Sequence, residues 1–134
     1  MFQKEVADRI LAQPGTKVFG RLSVLVQWLC QVEHCFDLPP SVFTPPPKVD
    51  SSVVRFAARP KPLFPSNLPF LTRVTAVAFN QRRKMLRQSL KSLSKTVSAV
   101  DLLKQANIDE TLRAERLTIE EFCKLANALE SAES

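Results

Sequence analysis

The sequence predicts an α+β chain in which the last strands and helices of a larger sheet are followed by a small all-helical domain. Three observations carry that expectation. All ten prolines of the 134 residues fall between Pro14 and Pro69, and neither proline nor glycine follows Pro69. Ser51 to Ala57, rich in Val and Phe, leaves a proline-rich approach that cannot be helical. From Phe70 onward apolar residues recur at helical spacing, and the last such run opens with a capping box.

Taken in order, Phe2, Val6 and Ile10 recur at helical spacing and stop at Gln13-Pro14-Gly15. Gly20 then precedes a second helical run through Leu29. Cys30 to Leu38 either extends that helix or forms a strand. Ser51 to Ala57 reads as a strand through Val53, Val54 and Phe56. Two or so strands cannot bury both of their faces, which points to a larger sheet. Phe70, Val74, Val77 and Ala78 start the helical part, and Leu86, Leu90 and Leu93 continue it in a second helix or after a bend. Ser98 and Asp101 mark a capped start, with Val97 and Leu102 placed as a hydrophobic staple. Thr118 and Glu121 form a T-x-x-E box, Leu117 and Phe122 sit at staple positions, and Ile119, Phe122, Ala126 and Leu129 supply a buried stripe. The expected division is 1–60, a linker over 61–66 that its alternating prolines keep extended, and a helical domain over 67–134. At 45% hydrophobic the chain has apolar mass for one ordinary core or two small ones, and disorder is excluded.

The formal charge of +6 comes from 19 basic against 13 acidic residues. Its distribution says more than its sum. Between Ser51 and Val100 stand Arg55, Arg59, Lys61, Arg73, Arg82, Arg83, Lys84, Arg87, Lys91 and Lys95, with no Asp or Glu. A one-signed block of this kind suits a polyanion such as nucleic acid. Cys30, Cys35 and Cys123 are odd in number and lack C-x-x-C spacing, so neither a disulfide framework nor a metal site is expected. No apolar run approaches the ~18 residues of a membrane span and the start is no signal peptide, so the expected location is the cytoplasm, with no membrane partner.

Two constellations could carry chemistry. In Phe43-Thr44-Pro45-Pro46-Pro47-Lys48-Val49-Asp50-Ser51, three prolines would fix a polyproline II rod beside the Phe43 ring, ready to stack on a flat ligand such as an extruded base. The plainer readings are a stiff connector or a ligand for a proline-recognition domain. In Asn80 to Lys91, a continuous helix would align Arg83, Arg87 and Lys91 in one stripe with Lys84 and Lys95 beside it, suited to a phosphate backbone. The alternative is a solvated helix face. Glu5 is a lone carboxylate, and His34 has no nucleophile motif around it and reads as structural. With Gly15 and Gly20 the only glycines, no G-x-G-x-x-G or P-loop is present.

The ordered motifs resemble the ribosomal RNA adenine dimethyltransferase family. FQKEVADR (2–9), VFGRLSV (18–24, with Phe19 where the family has Tyr), FTPPPKVDSSVVRF (43–56), NQRRKMLRQSL (80–90) and RAERLTIEEFCKLAN (113–127) carry the likeness. It implies the terminal strands and helices of a Rossmann-like methyltransferase sheet, then a helical domain that engages rRNA in the assembling small subunit. It also implies S-adenosylmethionine as methyl donor for the complete enzyme, and two adjacent adenines near the 3′ end of small-subunit rRNA as targets. By that resemblance Phe43 would stack on the adenine, Pro45, Pro46 and Pro47 would position it, and Arg82, Arg83, Lys84, Arg87 and Lys91 would hold phosphates. The family's glycine-rich donor loop and N-L-P-Y motif correspond to positions before Met1. The chain alone is therefore expected to bind no donor and to be inactive. The rival expectation is a non-enzymatic RNA-binding or ribosome-assembly factor.

Overall fold

The computed structural model describes residues 1–134 as three strands and six helices. In chain order these are β1 (Phe2–Gln3), α1 (Lys4–Leu11), α2 (Arg21–Leu29), β2 (Cys30–Leu38), β3 (Ser51–Ala58), α3 (Leu68–Asn80), α4 (Leu86–Ser89), α5 (Ala99–Gln105) and α6 (Ile119–Glu133). Short 3₁₀ turns occupy Pro40–Val42, Leu90–Ser92 and Ala114–Arg116.

The sheet is antiparallel in the order β1-β3-β2. Cys30–Leu38 is thus a strand: Cys30 already has extended backbone angles, and pairing runs from Cys30↔Ala58 to Leu38↔Ser51. An irregularity between His34 and Phe36 leaves Cys35 without a partner, as in a β-bulge. Phe2 was expected on the stripe of the first helix. It belongs to β1 instead, pairs with Ser52, and meets the Phe56 ring edge-on at 5.7 Å.

One core of 23 buried residues joins α2 to the helices that follow. Phe19, Val24 and Trp28 enter it from the first part, and Leu71, Val74, Leu102, Phe122, Leu125 and Leu129 from the second. The segment 61–66 is tied down along its length. Leu63 N donates to Trp28 O at 2.9 Å, Trp28 Nε1 to Phe64 O at 2.7 Å, and Asn127 Nδ2 to Pro65 O at 2.9 Å. Both expected caps form: Asp101 N donates to Ser98 Oγ at 3.1 Å, while Glu121 N donates to Thr118 Oγ1 at 3.2 Å and Thr118 N returns to Glu121 Oε1 at 3.0 Å.

The stripe of Arg83, Arg87 and Lys91 on a continuous helix is not formed. α3 ends at Asn80, residues 81–84 turn, and Met85 is extended and bridges Arg113. The bend lets Leu86, Leu90 and Leu93 reach the core, all nearly inaccessible to solvent. Their burial outweighs the helical hydrogen bonds forgone, some of which are replaced by Leu86 N to Leu112 O at 2.8 Å and Arg87 N to Glu110 O at 3.1 Å.

Candidate nucleic-acid interface

β2 and β3 are joined by residues 39–50, and five of these twelve are proline. Both ends of this loop are fixed. Leu38 pairs with Ser51 and Asp37 with Ser52, and Lys4 N donates to Asp50 O at 3.0 Å. Ser52 Oγ donates to Asp37 Oδ1 at 2.5 Å, His34 Nε2 lies 2.8 Å from the same oxygen, and Lys4 Nζ is 3.9 Å from Asp37 Oδ2. The hydrogen bond from Ser52, then that from His34, holds the Asp37 carboxyl below the usual carboxylate range. The loop bends at 43–45, so the proline triplet is entered through a turn; the Thr44–Pro45 peptide is cis. Phe43 is half-buried with its N–H bonded to Pro40 O at 3.1 Å, while Pro45, Pro46 and Pro47 are exposed. Such a loop presents one aromatic ring and three pyrrolidine rings with little entropy left to lose on binding.

The basic segment divides by partner. Arg82 turns inward. Its guanidinium lies 5.4 Å over the Phe79 ring, donates to Phe19 O, and stands 3.9 Å from Glu115 Oε2, so it spans both parts of the chain. Arg83, Lys84, Arg87 and Lys91 are exposed and none has a carboxylate partner. Two other cations of the block, Arg73 and Arg59, are occupied. Arg73 makes a two-pronged pair with Glu133 at 2.7 and 3.0 Å, which draws the carboxyl of Glu133 below its ordinary range, and Arg59 Nε donates to Gln27 O at 3.1 Å. The bend at 81–84 thus gathers unneutralised charge into a turn and the short helix behind it.

Glu5 is paired with Arg9 at 2.9 Å across one helical turn and is no free base. Gly15, at φ +90°, turns the chain so that its N–H reaches Glu115 O at 2.7 Å, and Gly20 opens α2 with its N–H on Ser23 Oγ at 3.1 Å. Both glycines are committed to packing. Neither belongs to a glycine-rich loop of the kind that cradles a nucleotide. Sequence reading missed the anchor of Asp37, Ser52 and Lys4, because its members are distant in sequence and ordinary in type.

The family model for ribosomal RNA adenine dimethylase matches residues 1–131. The chain belongs to the ribosomal RNA adenine dimethylase family. Over its full length it is 56% identical to the ribosomal RNA small subunit methyltransferase A of Rhodospirillum rubrum, and it covers 46% of that protein. With the protein of the same name from a Ruegeria species it shares 53% identity over 97% of this chain and 46% of the relative. The chain thus spans about half the length of the curated dimethylase relatives it matches. Among solved structures, a dimethyladenosine transferase from Plasmodium falciparum superposes with a TM-score of 0.84 over 98% of this chain and 56% of that one, at 24% identity. The 23S rRNA methyltransferase ErmE gives 0.56 over 96% and 52%, at 22% identity. At such identities both likenesses establish the fold and nothing finer. No helix of the chain is long and apolar enough to cross a membrane.

Proposed function

We propose that this chain supplies the substrate-positioning and RNA-binding elements of an S-adenosylmethionine-dependent rRNA adenine N6,N6-dimethyltransferase. Its three strands form the end of a Rossmann-like methyltransferase sheet, and residues 67–134 form the rRNA-binding helical domain. The substrate is small-subunit rRNA in the assembling subunit, at two adjacent adenines near the 3′ end. One observation carries the reading: a family match over 1–131 that includes a cation cluster left without internal partners. Arg83, Lys84, Arg87 and Lys91 neutralise phosphates, with Arg82 as the inward strut that fixes the turn they sit on. Phe43 stacks on the extruded adenine and Pro45 to Pro47 limit its movement. The exocyclic amine is a poor nucleophile because its lone pair is delocalised into the ring, so immobilising the base lowers the cost of orienting it. The donor is held by residues outside 1–134, and this chain alone transfers no methyl group.

The test is salt-dependent binding of the 3′ domain of small-subunit rRNA. Arg83→Ala with Arg87→Ala should weaken binding and flatten the slope of log affinity against log salt by up to about two units. An unchanged slope removes both residues from the interface. With the chain joined to a donor-binding half, Phe43→Ala should lower methylation more than RNA binding, and equal losses in both would contradict the stacking role.

A further inference from the structure

Between the turn at 13–20, the start of α2 and the end of α3 lies a cavity of about 640 Å³ that the proposed function leaves unused. Val18, Leu22 and Phe79 form apolar wall, while Lys17, Arg21 and Arg82 bring positive charge to it. Val18 and Leu22 are 44% and 41% exposed, so apolar surface is open to solvent where cations flank it. Lys17 and Arg21 are exposed and have no carboxylate partner. The Arg82 guanidinium is fixed at its edge by Phe19 O and Glu115 and on one face by Phe79. Its other face has no aromatic partner.

A rigid planar cation beside apolar side chains and two free cations suits a ligand with a flat aromatic part and an attached anion. RNA bases freed from a helix stack on guanidinium planes, and volumes of a few hundred Å³ are those of small-ligand sites. We propose that this cavity receives one unpaired nucleotide of the bound RNA, its base against Arg82 and Leu22 and its phosphate between Lys17 and Arg21. The proposal rests on the RNA-binding reading and extends the RNA path from the helical part onto the start of α2. A base can enter only when it is out of its stack, so the site distinguishes single-stranded from duplex RNA.

The test uses the isotopically labelled chain, titrated with a short single-stranded oligoadenylate and with a short RNA duplex. The single strand should shift the amide resonances of Val18 to Leu22 and the Arg82 Nε signal, and the duplex should leave them in place. Lys17→Gln with Arg21→Gln should flatten the salt slope for the single strand by about 1.4 units, at roughly 0.7 per phosphate contact. Shifts confined to Arg83–Lys91 would overturn the nucleotide site while leaving the RNA-binding reading intact. No shift anywhere with either RNA would overturn both.

Discussion

Arg82 and Arg83 are neighbours of one type with opposite environments. Arg82 has a carbonyl, an aromatic ring and a carboxylate around it, and its side chain is 38% exposed, whereas Arg83 faces solvent without a carboxylate partner. Arg82→Ala should therefore destabilise the fold by about 1–2 kcal/mol in urea unfolding, mostly through the lost hydrogen bond to Phe19 O, since a part-exposed ion pair adds little. Arg83→Ala should stay within about 0.5 kcal/mol. Equal losses would mean that Arg82 does not brace the joint. The three cysteines differ in the same way. Burial pushes the Cys123 thiol up to about 11, while Cys35 is exposed at the bulge of β2. Because the thiolate is the reactive form, an alkylating reagent near neutral pH should label Cys35 first and Cys123 only on unfolding. Early labelling of Cys123 would contradict its burial.

Among the elements, α6 is the most fully signalled and its cap is reciprocal. Thr118→Ala removes the Thr118 side-chain half of that box and should cost about 1 kcal/mol, read as a lower melting temperature with unchanged helix content. The turn that receives the basic segment depends on a carboxylate. Asp109 accepts from Thr111 N at 2.9 Å and from Thr111 Oγ1 at 2.7 Å, the backbone bond first among the causes that hold its carboxyl below the ordinary range. A depressed folded pKa contributes stability that is complete above the unfolded value and is lost as pH falls through the folded one. Asp109→Asn should accordingly flatten the acid limb of the stability profile, which a urea series across that pH range measures. An acid limb of unchanged steepness would dissociate Asp109 from it. The basic segment itself shows what element-level reading cannot reach. Leu86, Leu90 and Leu93 have helical spacing in either arrangement, and only the demand that all three enter one core puts a bend at 81–84.

At the scale of the molecule, the first part and the helices share a continuous core. Trp28, the sole tryptophan, sits at the joint with its Nε1 on Phe64 O. Trp28 fluorescence and far-UV circular dichroism should therefore report one coincident unfolding transition. Two separated transitions would show that the two parts fold independently. Leu71, fully buried in this shared core, should cost about 2–5 kcal/mol when changed to Ala, and should shift both signals together.

The sequence by itself determined the α+β character, the capped helices at Ser98 and Thr118, the strand at Ser51, the family and the one-signed block of charge. Each of these is written in neighbouring residues, through periodicity, caps, proline placement or contiguous motif. Tertiary structure alone decided that Cys30–Leu38 is a strand, since its apolar pattern permits either form and the partner β3 selects one. It also decided that Arg82 points inward, that Asp37 and Ser52 close the Phe43 loop, and that Lys17 and Arg21 meet Arg82 around one cavity. These are pairings across 15 to more than 60 residues, such as Ser52 with Asp37 and Arg82 with Phe19. No local propensity encodes them. They follow from where burial of the common core carries the chain.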